Sequence, residues 1–237
     1  DYTFAMDPRT GERYVRTTFD YDGSAGAVWG HDGMMGPTTL TTLGSVQRGS
    51  VEEGEIRFPW KILNLEARSD FNGAGRWRGG GGIDWRAVNE GSDGRMATGS
   101  SDGDVIHVKG AQGGRPNPNA RTFILRGKEK IRVKPHRMAD IKRGDIVVKL
   151  SPGGAGVGDP WERPIDKVVT DVRRDLVTVE AARLIYGVVI DPATRQADEA
   201  ATAELRSAPP THRFGAVINE QTLDIELKQV GGQEGAA

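Results

Sequence analysis

Residues 144–163 read GDIVVKLSPGGAGVGDPWER, and the chain changes character across them. Ile146, Val147 and Val148 form a β-branched run too short for a helix, which predicts a strand. The glycines at 153, 154, 156 and 158 cannot continue that strand without losing side-chain packing and backbone entropy, so the strand runs into a loop. Asp159 precedes Pro160 and is pushed towards extended geometry, which sharpens the turn. The loop lacks the Lys-Ser/Thr ending of a P-loop and the spacing of a dinucleotide fingerprint. Tight packing on a neighbouring element therefore accounts for it better than a phosphate cradle. Asp159 and Arg163 stand four apart, and a helix starting near Pro160 would let them pair across its first turn, as a structural ion pair before a catalytic one.

Downstream of this run the pattern is helical. Residues 165–174 place Ile165, Val168, Val169 and Val172 on one face, with Asp166 early and Arg173-Arg174 late, as the helix dipole prefers. Thr178 is the expected cap of a helix over 179–186 that Gly187 ends, and Asp198 that of a helix over 199–207 that Pro209-Pro210 stops. Between these two helices, residues 188–190 read as a short strand. Residues 223–227 are one more strand candidate in the tail.

Upstream the pattern is strands and turns. Tyr2, Phe4 and Met6 alternate, Pro8 to Gly11 supplies turn chemistry, and residues 14–19 alternate again, which predicts a hairpin. Residues 52–65 carry two apolar runs broken by Pro59, as suits an edge strand or a bend. Strands are predicted over 83–88, 105–108, 121–125 and 130–134, separated by glycine-rich turns. The reading is α+β and β-rich: a sandwich- or barrel-like body of short strands with Gly-rich loops and a helical C-terminal segment. It divides into a β-rich domain over 1–150, a helical segment over 151–210 packed on it, and a tail over 211–237.

Composition limits the function classes. Among 237 residues there are 32 basic and 33 acidic, a net charge of -1, so no overall field steers the chain to nucleic acid or an anionic membrane. The absence of cysteine excludes disulfides, thiolate zinc sites and a cysteine nucleophile, and accords with a reducing cytoplasm. A mean hydropathy of -0.50 and the lack of any run of 18 apolar residues predict neither a transmembrane helix nor a signal peptide. The chain opens on Asp1-Tyr2-Thr3-Phe4, in mid-pattern for a strand, and is expected to be a piece of something longer.

Site candidates are scattered. His31-Asp32 lies within a long Gly/Thr/Ser loop over 23–44 and could bind a metal or move protons, yet one histidine and one carboxylate are too few ligands for a metal. Arg76-Trp77-Arg78, set among six glycines in residues 70–82, is what a stacking or anion site needs, or else a glycine-hinged turn whose Trp covers the core. His107 and His136 read as satisfied structural histidines beside strands. The candidates are thus Asp159, Arg163, Arg76, Arg78, His31 and Asp32, with no constellation that specifies a reaction.

Several motifs in order carry a resemblance. Residues 70–82, DFNGAGRWRGGGG, are followed by the glycine loop 153–163, by Val168-Val169-Thr170-Asp171-Val172, by 182–188 and by 198–206. Together they resemble the C-terminal half of the B-type subunit of the hydantoinase/oxoprolinase family, over residues 52–206. Phe71, Asn72 and Ala155 depart from its small-residue pattern, and residues after Pro210 have no counterpart. The resemblance implies ATP-dependent chemistry on a carbonyl: hydrolysis of a cyclic amide such as a hydantoin or oxoproline, or carboxylation of a ketone in the related carboxylases. It implies that this chain is inactive alone and binds no cofactor or metal. ATP would sit on an A-type subunit, and a divalent metal on the N-terminal half of a B-type subunit. A non-catalytic assembly module is the alternative from another class.

Overall fold

The computed structural model describes residues 1–17, 23–36, 50–98, 102–106, 108–208 and 210–230. Its centre is an antiparallel five-stranded sheet in the order β3-β4-β9-β6-β7, built from β3 (Trp60–Ala67), β4 (Ile83–Asn89), β9 (Ile146–Ser151), β6 (Arg121–Arg126) and β7 (Glu129–Arg132). The β-branched run that opened the analysis is thus the middle strand. Val147 and Val148 point to opposite faces and both are buried, because each face is covered.

On one face, Trp60, Trp85, Ala87, Ile124 and Val147 meet Met96 and Ile141 of a four-stranded antiparallel sheet. That sheet runs β2-β1-β5-β8: β1 (Tyr2–Asp7), β2 (Glu12–Thr17), β5 (Gly94–Ala97) and β8 (Met138–Ile141). On the other face, Phe71, Phe123, Val148 and Leu150 pack with Leu223 of a hairpin formed by β10 (Arg213–Ile218) and β11 (Ile225–Val230). A third cluster joins α2 (Ile165–Arg173) and α3 (Val179–Tyr186) through Val168, Val172, Ala181, Ala182 and Ile185. Among the described residues the architecture is α+β and β-rich, two packed sheets with no closed barrel.

The helix signals hold at the residue level. Thr178 Oγ1 accepts from Ala181 N–H at 3.1 Å, and Gly187 ends α3 at φ +62°. Asp198 caps α4 (Glu199–Arg206) by accepting from Ala201 N–H at 2.9 Å.

Some expectations are corrected. The segment before Pro59 is a helix, α1 (Val51–Arg57), capped by Ser50; it buries no residue, so it shows no apolar stripe to read. β3, after Pro59, is the expected edge strand. No described residue of 105–108 is in a strand. The adjoining 3-10 turn Asp102–Asp104 is instead held by Arg132, whose Nη2 lies 2.7 Å from Asp104 Oδ1, and His107 lies outside the described residues. Residues 188–190 form only an isolated bridge between Ile190 and Ala197, since Val189 N–H donates to Thr202 Oγ1. Within the stretch read as a tail, β10 and β11 pair as an antiparallel hairpin, of which only the second strand was expected. The tail strand begins at Ile225, later than read, because Leu223 is in a turn at φ +67°.

Candidate functional site

Four glycine-rich stretches that look independent in the chain interlock in space. Gly73 N–H donates to Gly154 O at 2.8 Å, Gly154 N–H to Gly80 O at 2.8 Å, and Gly80 N–H to Ala25 O at 2.9 Å. Trp77 and Val157 exchange both backbone hydrogen bonds at 2.9 Å, while Gly156 N–H donates to Arg115 O at 3.0 Å and Arg115 N–H to Ala74 O at 2.7 Å. The segments around 25, 75, 114 and 155 therefore satisfy one another's backbones without forming a regular sheet. Glycine is needed for proximity here: a Cβ on Gly154 would sit on the Ala25 carbonyl, and one on Gly79 on the Gly154 carbonyl.

An ionic network pins this assembly to the helices. Arg163, 1% exposed, grips Asp32 with both ends of its guanidinium, Nη1 to Oδ1 at 2.7 Å and Nη2 to Oδ2 at 2.8 Å. Its Nε donates to Asp171 Oδ2 at 3.1 Å, and Nη1 also donates to the Arg76 carbonyl at 3.0 Å. Arg78 Nε lies 3.2 Å from Asp171 Oδ1, Arg78 Nη1 donates to Gly79 O at 2.5 Å, and the Arg78 backbone N–H donates to Asp32 Oδ1 at 2.8 Å. Two carboxylates face two guanidiniums, so the buried charge is balanced. Burial alone would raise the Asp32 carboxyl, but Arg163 and the Arg78 N–H outweigh it and hold the group below its ordinary value. Burial would lower Arg163, but Asp32 and Asp171 reverse that, so its charge is secured. The buried Tyr186 phenol beside this network is raised by desolvation.

A second clamp ties the entrance of residues 70–82 to α3. Asp70, at φ +58°, accepts from Thr178 N–H at 2.9 Å and pairs with Thr178 Oγ1 at 2.7 Å. Its carboxyl is raised by burial, against the Thr178 hydrogen bonds. It floors a cleft of about 450 Å³ lined also by Glu180, Glu226 and Lys228.

Of the six sequence candidates, the structure unites Asp32, Arg78 and Arg163. The expected Asp159–Arg163 pair does not form. Arg163 lies at the end of a 3-10 turn (Pro160–Glu162) and faces inward to Asp32 and Asp171, whereas Asp159 caps that turn by accepting from Trp161 N–H at 2.9 Å. Arg76 stays at the surface, its guanidinium 5.1 Å above the Trp77 ring and 3.4 Å from Glu162. Trp77 is buried against Trp29, as the glycine-hinged turn reading has it. His31 is exposed in the turn closed by the Val28–His31 bridge, and His136 is exposed at φ +53°. Asp171 stands in the Val168–Val172 motif but is not among the six site candidates; its signal is a carboxylate on the buried face of α2, three residues after Val168 and next to Val172. Among the described residues no three His, Asp or Glu side chains converge where a metal could be held, and no helix is long and apolar enough to cross a membrane.

The sequence profile described as hydantoinase B/oxoprolinase matches residues 2–160. The chain belongs to the hydantoinase B/oxoprolinase family. Caprolactamase subunit beta of Pseudomonas jessenii is 34% identical over 211 residues, covering 85% of this chain and 36% of that protein. The crystal structure of the ATP-dependent caprolactamase from Pseudomonas jessenii superposes with a TM-score of 0.76 at 29% identity, covering 87% of this chain and 37% of that one. A nucleotide-free acetone carboxylase structure shares the fold, with a TM-score of 0.74 at 21% identity over 87% of this chain and 32% of that one. The chain spans about a third of the length of the curated family members it matches, against the half that the resemblance implied.

Proposed function

We propose that this chain is one part of a hydantoinase B-type subunit, in a cytoplasmic ATP-dependent complex that hydrolyses a cyclic amide, with a lactam or hydantoin as substrate class. The observation that carries the reading is the 34% identity to a caprolactamase beta subunit over 85% of the chain. In this reading ATP and a divalent metal belong to the A-type subunit and to the rest of the B-type polypeptide. The chain contributes a rigid wall. Interlocked glycine backbones bring the layers into direct backbone contact, a closure that would keep bulk water out, and the Asp32–Arg163–Asp171–Arg78 network holds them in place. Activated amides need such exclusion from bulk solvent.

The assembly-module reading is favoured by one observation: the guanidinium of Arg163 is already committed to the oxygens of Asp32, Asp171 and Arg76, so this candidate offers no donor to a substrate. Arg76, exposed beside Trp77, discriminates between the two. The purified complex is assayed with a panel of lactams and hydantoins plus ATP, following ring-opened amino acid and ADP, and in parallel with ketone plus bicarbonate. Ring opening supports the hydrolase; carboxylation without ring opening overturns it. A fall in turnover in Arg76→Ala with assembly intact places this chain at the chemistry, and unchanged turnover supports the assembly module.

A further inference from the structure

We propose that the outward face of the four-stranded sheet is the docking surface for the remainder of the B-type polypeptide; this rests on the reading that the chain is one part of such a subunit. An antiparallel sheet with one covered face ordinarily turns polar residues to water on the other. Here the open face carries large apolar side chains instead. Thr3, Met96 and Ile141 point into the body, yet the residues between them on the open face include Tyr2 at 45% exposure, Phe4 at 42%, Met6 at 40%, Val15 at 55% and Met138 at 47%.

Strand register makes these residues one patch. Phe4 stands opposite Val15 on one side and Arg95 on the other; Tyr2 stands opposite Ala97, which stands opposite Met138. The stripe thus crosses from β2 to β8 through the two central strands β1 and β5. Arg13, opposite Met6, and the Arg95–Asp140 pair at 3.5 Å border it. An apolar centre with a charged rim is the anatomy of a protein interface, and a contiguous exposed patch of large side chains marks one.

The length of the relatives supplies the occupant. A chain that covers 85% of itself in the match accounts for only 36% of the caprolactamase beta subunit, and the patch lies within the stretch matched by the family profile. The polypeptide that occupies the other two-thirds of such a subunit must pack on this third to make one body. An apolar surface rimmed by at least one carboxylate set against Arg13 fits the face.

A photo-crosslinking phenylalanine analogue at Phe4, in the protein assembled with its companions, tests this, with crosslinked peptides identified by mass spectrometry. Crosslinks to peptides of the B-type remainder, in the same or another chain, are the expected result. Crosslinks to a second copy of this chain or to an ATP-binding subunit, or none at all, overturn the proposal. Where the remainder is a separate chain, the double variant Phe4→Lys/Val15→Glu should keep the circular dichroism of the unsubstituted chain while lowering recovery of that remainder at least about tenfold. Equal recovery overturns the proposal. Lactam turnover is scored separately: a crosslink to the remainder without ring opening leaves the docking face standing and removes the hydrolase reading.

Discussion

Arg163 sits almost wholly out of water, and its guanidinium meets oxygens of Asp32 and Arg76, far away in the chain, and of Asp171 on the following helix. Lysine keeps the charge but cannot grip Asp32 bidentately while reaching Asp171, so Arg163→Lys leaves buried carboxylates partly unpaired. The expected cost is about 3 kcal/mol or more, measured by urea unfolding; a loss below about 1 kcal/mol would show that the network is dispensable. Asp32 gives the pH signature. Its carboxyl is held below the ordinary value in the folded state, so its stabilising contribution is present above the unfolded carboxylate pKa of about 3.9 and is lost as pH falls through the lower folded value. Wild type should therefore melt well above Asp32→Asn at pH 7, and the gap should narrow as the pH drops below about 4. A gap independent of pH would assign the effect to packing.

The glycines separate two physical roles at the level of elements. Gly54 lies inside α1 with nothing near its missing Cβ, so Gly54→Ala should stabilise by about 0.5–1 kcal/mol through backbone entropy and helix propensity. Gly154 lies between backbones, so Gly154→Ala should abolish soluble expression or lower the melting temperature drastically. Equal behaviour of the two variants would refute the interlocking of the loops. α3 is a similar case of dual use: Thr178 caps the helix and holds Asp70, so its cap signal was readable locally while its bond to residue 70 was not.

For the whole molecule, the sheet buried on both faces should be the last part to open. Native-state hydrogen exchange is expected to be slowest at the amides of Ala87, Val147, Val148 and Ile124, and faster by orders of magnitude in α1 and the β10-β11 hairpin. Uniform protection would mean that the hairpin and α1 belong to the same cooperative unit. The packing of β10-β11 across the five-stranded sheet also explains why residues after 210 were poorly legible: their apolar side chains are spread over a hairpin whose register is set by the surface it covers.

Sequence alone determined what is local. The β-branched run at 146–148 became a strand, Thr178, Asp198 and Gly187 became caps, and ordered motifs revealed the family, because propensity, capping and motif spacing are properties of neighbours along the chain. Tertiary structure decided what is not local. Arg163 chose Asp32, 131 positions away, over Asp159, four away, because the turn at 160–162 points its side chain inward to two carboxylates while Asp159 caps the turn itself. Four glycine loops became one assembly for the same reason: backbone groups removed from water must find partners, and only the folded chain fixes which are within reach.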